Sequence, residues 1–101
     1  MGACNFITFC KGTSAQDAFE YLVSEAEWEH GHNPYNGTIS TTRLKKGHVQ
    51  VAEVWSEAAR EAAIKLAEAD GWGEKWESRA VYCGKTESGS VMWAFYGWAS
   101  Y

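Results

Sequence analysis

The segment that most restricts the fold is Val91-Met92-Trp93-Ala94-Phe95-Tyr96, near the end of the chain. Successive side chains of an extended strand point to opposite faces. Here both alternating sets are apolar: Val91, Trp93 and Phe95 on one side, Met92, Ala94 and Tyr96 on the other. Such a strand belongs inside a sheet. Gly97 within the same run predicts a bulge or a close approach of another backbone. Ser78 to Cys83 reads as its hairpin partner, joined to Ser90–Ser100 through Gly84-Lys85-Thr86-Glu87-Ser88-Gly89.

Upstream, Cys4-Asn5-Phe6-Ile7-Thr8-Phe9-Cys10 has the aromatic and β-branched content of a strand. Its two apolar faces predict a central place in the sheet. Thr13 or Ser14 then caps a helix, with Asp17 completing a variant capping box. Ala15, Ala18, Phe19, Leu22, Val23 and Ala26 follow helical spacing, and Gly31 suits the end. Thr38–Leu44 and His48–Val54 read as a second hairpin turning at Lys45-Lys46-Gly47. Ser56 caps a second helix through Asp70, with Gly71 as its stop and Trp72 placed to cover its end. The order β-α-β-β-α-β-β over 1–101 predicts one α+β domain. Its expected form is an antiparallel sheet with both helices packed on one face, a ferredoxin-like variant.

A net charge of −4 argues against general nucleic-acid binding, which depends on neutralising phosphates. No apolar run approaches the roughly 20 residues of a membrane span, and no signal peptide is visible, so the expected location is the cytoplasm. Cys4, Cys10 and Cys83 are odd in number and have no CxxC spacing. On one strand, Cys4 and Cys10 stand about 20 Å apart, beyond disulfide reach. They read as buried thiols. Aromatics make up 15% of the chain, with six Trp. Most serve packing in so small a domain, but Trp76, on a glycine-bearing loop, is a candidate for ligand contact.

Between the first helix and the β-branched run lies Glu29-His30-Gly31-His32-Asn33-Pro34-Tyr35-Asn36-Gly37-Thr38-Ile39. Gly and Asn supply positive φ and Pro restricts it, so this is a loop of specified shape presenting imidazole, amide and phenol groups. The helix before it carries Asp17, Glu20, Glu25, Glu27 and Glu29 and no Lys or Arg. Three of these acids crowd the negative end of the helix dipole, which disfavours them. His30 and His32 with a nearby Glu, and His48 as a further ligand, allow a metal reading, although HExxH and paired cysteines are missing. Walker, Rossmann and GxSxG patterns are also missing.

Two segments, EHGHNPYNGTI at Glu29–Ile39 and the tail Phe95-Tyr96-Gly97-Trp98-Ala99-Ser100, resemble a family of short, mostly uncharacterised proteins encoded by tailed bacteriophages. The Met1–Phe9 strand resembles them too. Asn33-Pro34 stands where that family commonly has glycines, which stiffens the loop here. The resemblance implies an accessory protein of an infected bacterial cytoplasm, of the kind that interferes with host defence. It brings no catalytic mechanism.

The leading expectation is a non-enzymatic binder of a small nucleotide-like or phosphorylated ligand, without a cofactor. His32, Asn33, Tyr35, Asn36 and Thr38 would hydrogen-bond the ligand, Arg43 or Arg79 would contact its phosphate, and Trp76 or Trp98 would stack on it. The first alternative is a protein inhibitor whose acidic face (Asp17, Glu20, Glu25, Glu27, Glu29) docks on a basic surface of a host defence protein. The second is a metal-assisted hydrolase. Aromatic residues near the C-terminus add the expectation of a homo-oligomer.

Overall fold

The computed structural model describes residues 3–30, 39 and 42–100, with His30 and Ser100 in backbone only. Six elements follow one another: β1 (Ala3–Gly12), α1 (Ala15–His30), β2 (Arg43–Gln50), α2 (Glu57–Ala69), β3 (Glu77–Lys85) and β4 (Val91–Ser100). They form one four-stranded mixed sheet in the order β1-β4-β3-β2. β4 is antiparallel to both neighbours, and β2 runs parallel to β3. The α+β class therefore holds. The antiparallel, ferredoxin-like order does not, because α2 carries the chain from β2 to β3 as a crossover, which makes the two strands parallel.

Two hydrophobic clusters lie on opposite faces of the sheet. Ala80, Trp93 and Phe95 meet Ala18, Phe19 and Leu22 of α1. Val81, Cys83, Ala94 and Tyr96 meet Ala63, Leu66 and Ala67 of α2. Because alternate strand positions feed alternate clusters, the helices cover opposite faces rather than one. Phe95 and Tyr96 are almost wholly buried, and each such side chain contributes about 1.5–3 kcal/mol through burial. β1 also serves both sides, with Phe6 and Cys10 toward α1 and Ile7 and Phe9 toward α2. It is nonetheless an edge strand, not a central one. Two apolar faces report a covering layer above and below, not a neighbour on each side. For the same reason Cys4 and Cys10 are only partly buried, whereas Cys83 on the inner strand β3 is fully so.

The expected hairpin about Lys45-Lys46-Gly47 is absent. Leu44 pairs with Ser78 and His48 with Ala80, so Lys45, Lys46 and Gly47 stand where β3 offers only Arg79. The turn-forming residues are used for a bulge within one strand, with Gly47 at φ 88°. Part of the expected Thr38–Leu44 strand lies outside the described residues. Within the rest, the Thr42 hydroxyl bonds the Ile39 carbonyl (2.7 Å) and the Ser78 hydroxyl (2.6 Å). This buried polar pair seats the start of β2 on β3.

Both helix starts follow the sequence reading. Ser14 Oγ accepts from the Asp17 N–H at 3.1 Å, and Ser56 Oγ from the Ala59 N–H at 3.3 Å. The Asp17 carboxylate accepts from Thr13 at 2.7 Å, so its side chain serves the turn before the helix. At the end of α2, Trp72 N–H bonds the Ala67 carbonyl (2.8 Å) and Gly71 N–H the Glu68 carbonyl (3.1 Å). That is the Schellman pattern, and Trp72 packs into the α2-side cluster as expected of the residue after the glycine. Among the described residues no helix is long and apolar enough to cross a membrane.

Two predictions come from the core. A Cβ on Gly97 would collide with the Glu77 carbonyl oxygen, the close approach expected of a glycine inside a strand. Gly97→Ala is expected to lower unfolding stability by about 3 kcal/mol, read from the urea midpoint. Burial pushes the Cys83 thiol from the ordinary 9.0 to about 11. A thiol with a raised native pKa supports the fold below its unfolded value and loses that support as pH rises through the native one. Stability should hold below 9.0 and fall between 9.0 and about 11. In Cys83→Ala that decline should be shallower.

Candidate functional site

The bulge in β2 opens the edge of the sheet, and three adjoining cavities share Lys45 and Lys46. The first, about 260 Å³, lies against Arg79, His48 and Tyr96. The second, about 560 Å³, runs from the bulge to the start of α1 (Thr13 to Gln16) and Trp93. The third, about 550 Å³, runs to Arg43, Lys75, Trp76 and Glu77. Five of the nine Lys and Arg side chains of an acidic protein thus line one stretch of surface. Concentrating one charge sign along a cleft raises the local concentration of counter-charged ligand.

Trp76 closes one end of this cleft. Its backbone ties three strands together: its N–H bonds the Trp98 carbonyl (2.8 Å), and its carbonyl accepts from Arg43 N–H (2.9 Å). Making both bonds holds it at φ 66°, a left-handed conformation that costs a bulky residue roughly 1–2 kcal/mol. The indole remains 43% exposed. A strained, half-exposed tryptophan beside Arg43, Lys45, Lys46 and Lys75 offers a flat apolar face within a cationic surround. At the bulge itself His48 stacks on Tyr82 (6.2 Å) and meets Trp93 edge-on (5.1 Å), which gives the cleft a second aromatic wall.

Arg79 and Trp98 hold a different post. Arg79 Nη1 pairs with Asp70 Oδ2 at 3.1 Å, and Tyr96 donates its hydroxyl to the same oxygen at 2.8 Å. Trp98 Nε1 donates to the Gly71 carbonyl at 3.0 Å. Together they fasten the end of α2 to β3 and β4. Burial, and then the bond to Asp70, raise the Tyr96 phenol above its usual range. Arg79 thus borders the cleft with its charge partly balanced, while its buried Nε has no hydrogen-bond partner among the described residues.

Of the ligand-binding residues expected from the sequence, Arg43, Trp76 and Arg79 come together at this cleft, whereas Trp98 is engaged in anchoring α2. His32, Asn33, Tyr35, Asn36 and Thr38 lie outside the described residues, as does the side chain of His30. Lys75 is the cationic residue that sequence reasoning missed, since only the approach of β3 to β2 brings it beside Arg43. On α1, Asp17 accepts from Thr13, Glu20 accepts from Gln16 (2.9 Å) and Glu25 accepts from the Tyr21 phenol. Glu27 and Glu29 have partners of their own. Among the described residues no group of three or more His, Cys, Asp or Glu is placed to hold a metal.

Trp76→Gly removes the left-handed strain together with the covered part of the side chain, two changes of opposite sign, so the urea midpoint is expected to move by less than about 1 kcal/mol. A fall of more than about 1 kcal/mol would instead identify the indole as a packing element. No family model, curated protein or solved structure matches this chain, so the cleft is interpreted on its own geometry.

Proposed function

We propose that this protein is a non-enzymatic binder of a small phosphorylated, nucleotide-like ligand, held in the cleft along β2. The observation that carries the reading is the gathering of Arg43, Lys45, Lys46 and Lys75 around the half-exposed, left-handed Trp76. Ammonium and guanidinium groups supply charge-assisted hydrogen bonds to phosphate oxygens. The indole offers a stacking surface, worth about 1–3 kcal/mol per base where measured. The start of α1 at the far end of the same surface adds the positive pole of a helix dipole. Cavities of about 550 Å³ suit a ligand of mononucleotide size.

The acidic α1 face takes no part in this reading, because Asp17 and Glu20 have local hydrogen-bond partners that account for their presence. The setting we propose, a tailed-phage accessory protein that withholds a nucleotide signal from host defence, draws on the likeness of the loop and tail segments alone.

Isothermal titration against mono-, di- and cyclic nucleotides, with inorganic phosphate as the base-free control, tests the proposal. Binding should weaken steeply with salt. Lys45→Glu combined with Lys46→Glu should reduce affinity at least about tenfold, or about 1.4 kcal/mol. Trp76→Gly should reduce nucleotide affinity and leave phosphate affinity unchanged. No heat from any of these ligands at millimolar concentration would reject the reading.

A further inference from the structure

The three cavities along β2 meet on one cationic ridge. Lys45 and Lys46 line all of them, and Arg79 borders the smallest, about 260 Å³. The two larger cavities, about 560 Å³ and about 550 Å³, also share Leu44 and then part. One runs to Trp76 and Lys75, the other to His48 and the first turn of α1. Each is of mononucleotide size by itself. A mononucleotide with its phosphate on the ridge therefore fills one and leaves the other empty.

The two cavities differ in charge. The one that ends at Trp76 adds Arg43 and Lys75 to the ridge, against one carboxylate, Glu77. Its neighbour adds no Lys or Arg among the described residues. The positive pole of α1 borders it, but Asp17 in the first turn already sets a carboxylate there, held by the Thr13 hydroxyl at 2.7 Å. A longer phosphate chain extended this way would leave the cations behind and approach that carboxylate. An uncharged, flat group fits better.

A surface for such a group is present. His48 is exposed, yet its ring is set by two neighbours, at 28° to the plane of Tyr82 and 85° to that of Trp93. Trp93 is itself fixed, its Nε1 donating to the Gly12 carbonyl at 3.1 Å. An imidazole held in this way can stack on a base.

We propose that the ligand is a dinucleotide, two bases joined through a phosphate-bearing link, with the phosphates on Lys45 and Lys46, one base on Trp76 and the other on His48. This deepens the reading of the cleft as a nucleotide site and rests on it. The bulge makes the fit, because Lys45, Lys46 and Gly47, set against Arg79 alone, place the cations between the two aromatic ends. Once the first base is seated, the second is held close to its own surface, so its stacking strengthens binding without a second loss of translational freedom.

Isothermal titration of the full chain compares three ligands of one base, repeated for adenine, guanine, cytosine and uracil. They are the nucleoside 5′-monophosphate, the 5′-diphosphate, and the dinucleoside diphosphate in which a pyrophosphate joins two nucleosides. For the base that binds best, the dinucleoside compound should bind one per chain, at least about tenfold tighter than the diphosphate, although it carries less negative charge. His48→Ala, a change at an exposed position, should bring those two affinities to within about threefold of each other, whereas Trp76→Gly should weaken both. A diphosphate that binds as tightly as the dinucleoside compound would overturn the inference and leave the nucleotide reading in place, since the second cavity would add nothing. An undiminished gap in His48→Ala would also overturn it, by putting the second base elsewhere. Silence from every compound would reject the nucleotide reading itself, and this inference with it.

Discussion

The structure depends on β3 and β4 being buried on both faces at once. Ala80 and Phe95 face α1, while their immediate neighbours Val81 and Ala94 face α2. A strand with no polar face has no tolerable exposed position, so the two helices must take opposite sides. Within that arrangement α2 returns the chain parallel to β2, and α1 carries it from β1 at one edge to β2 at the other. The topology follows from where apolar area has to go.

The cleft is a by-product of the same constraint. Glu77 presses its carbonyl against Gly97, and Trp76 bridges Arg43 and Trp98 through its backbone, so the chain enters β3 through a left-handed residue. Further along, β2 has three residues where β3 has one and bows outward. The cations gather where β2 leaves the sheet, because Lys45 and Lys46 have no neighbour strand there. Arg79, Asp70, Tyr96 and Trp98 keep the opposing wall rigid by fastening the end of α2. Stability and site thus share residues at one corner, and the strain at Trp76 is sustained by the hydrogen bonds on both sides of it.

Much of this is legible locally. Ser14, Ser56 and Gly71 act through bonds to residues within five positions, so helix limits can be read from them directly. The β3–β4 hairpin and the tight approach at Gly97 are equally plain. The place of β1 is not, because Phe6, Ile7 and Phe9 look alike whether a strand is central or at an edge with both faces covered. Lys45-Lys46-Gly47 misleads because the same residues form a turn or a bulge, and only the partner strand distinguishes the two. Arg43 and Trp76 stand out by residue type alone. Their meeting, and the addition of Lys75, depends on a long-range pairing, Arg43 N–H to the Trp76 carbonyl.

By itself, the amino-acid sequence determined the limits of α1 and α2, the apolar character of the inner strands and the inventory of groups available for binding. These depend on short-range hydrogen bonds, side-chain periodicity and residue chemistry, all of which are local. Tertiary structure decided which strands are edges, which face each helix covers, and that five cations would line one surface of an acidic protein. Those outcomes turn on contacts between distant residues, whose energies appear only when the layers close around the sheet.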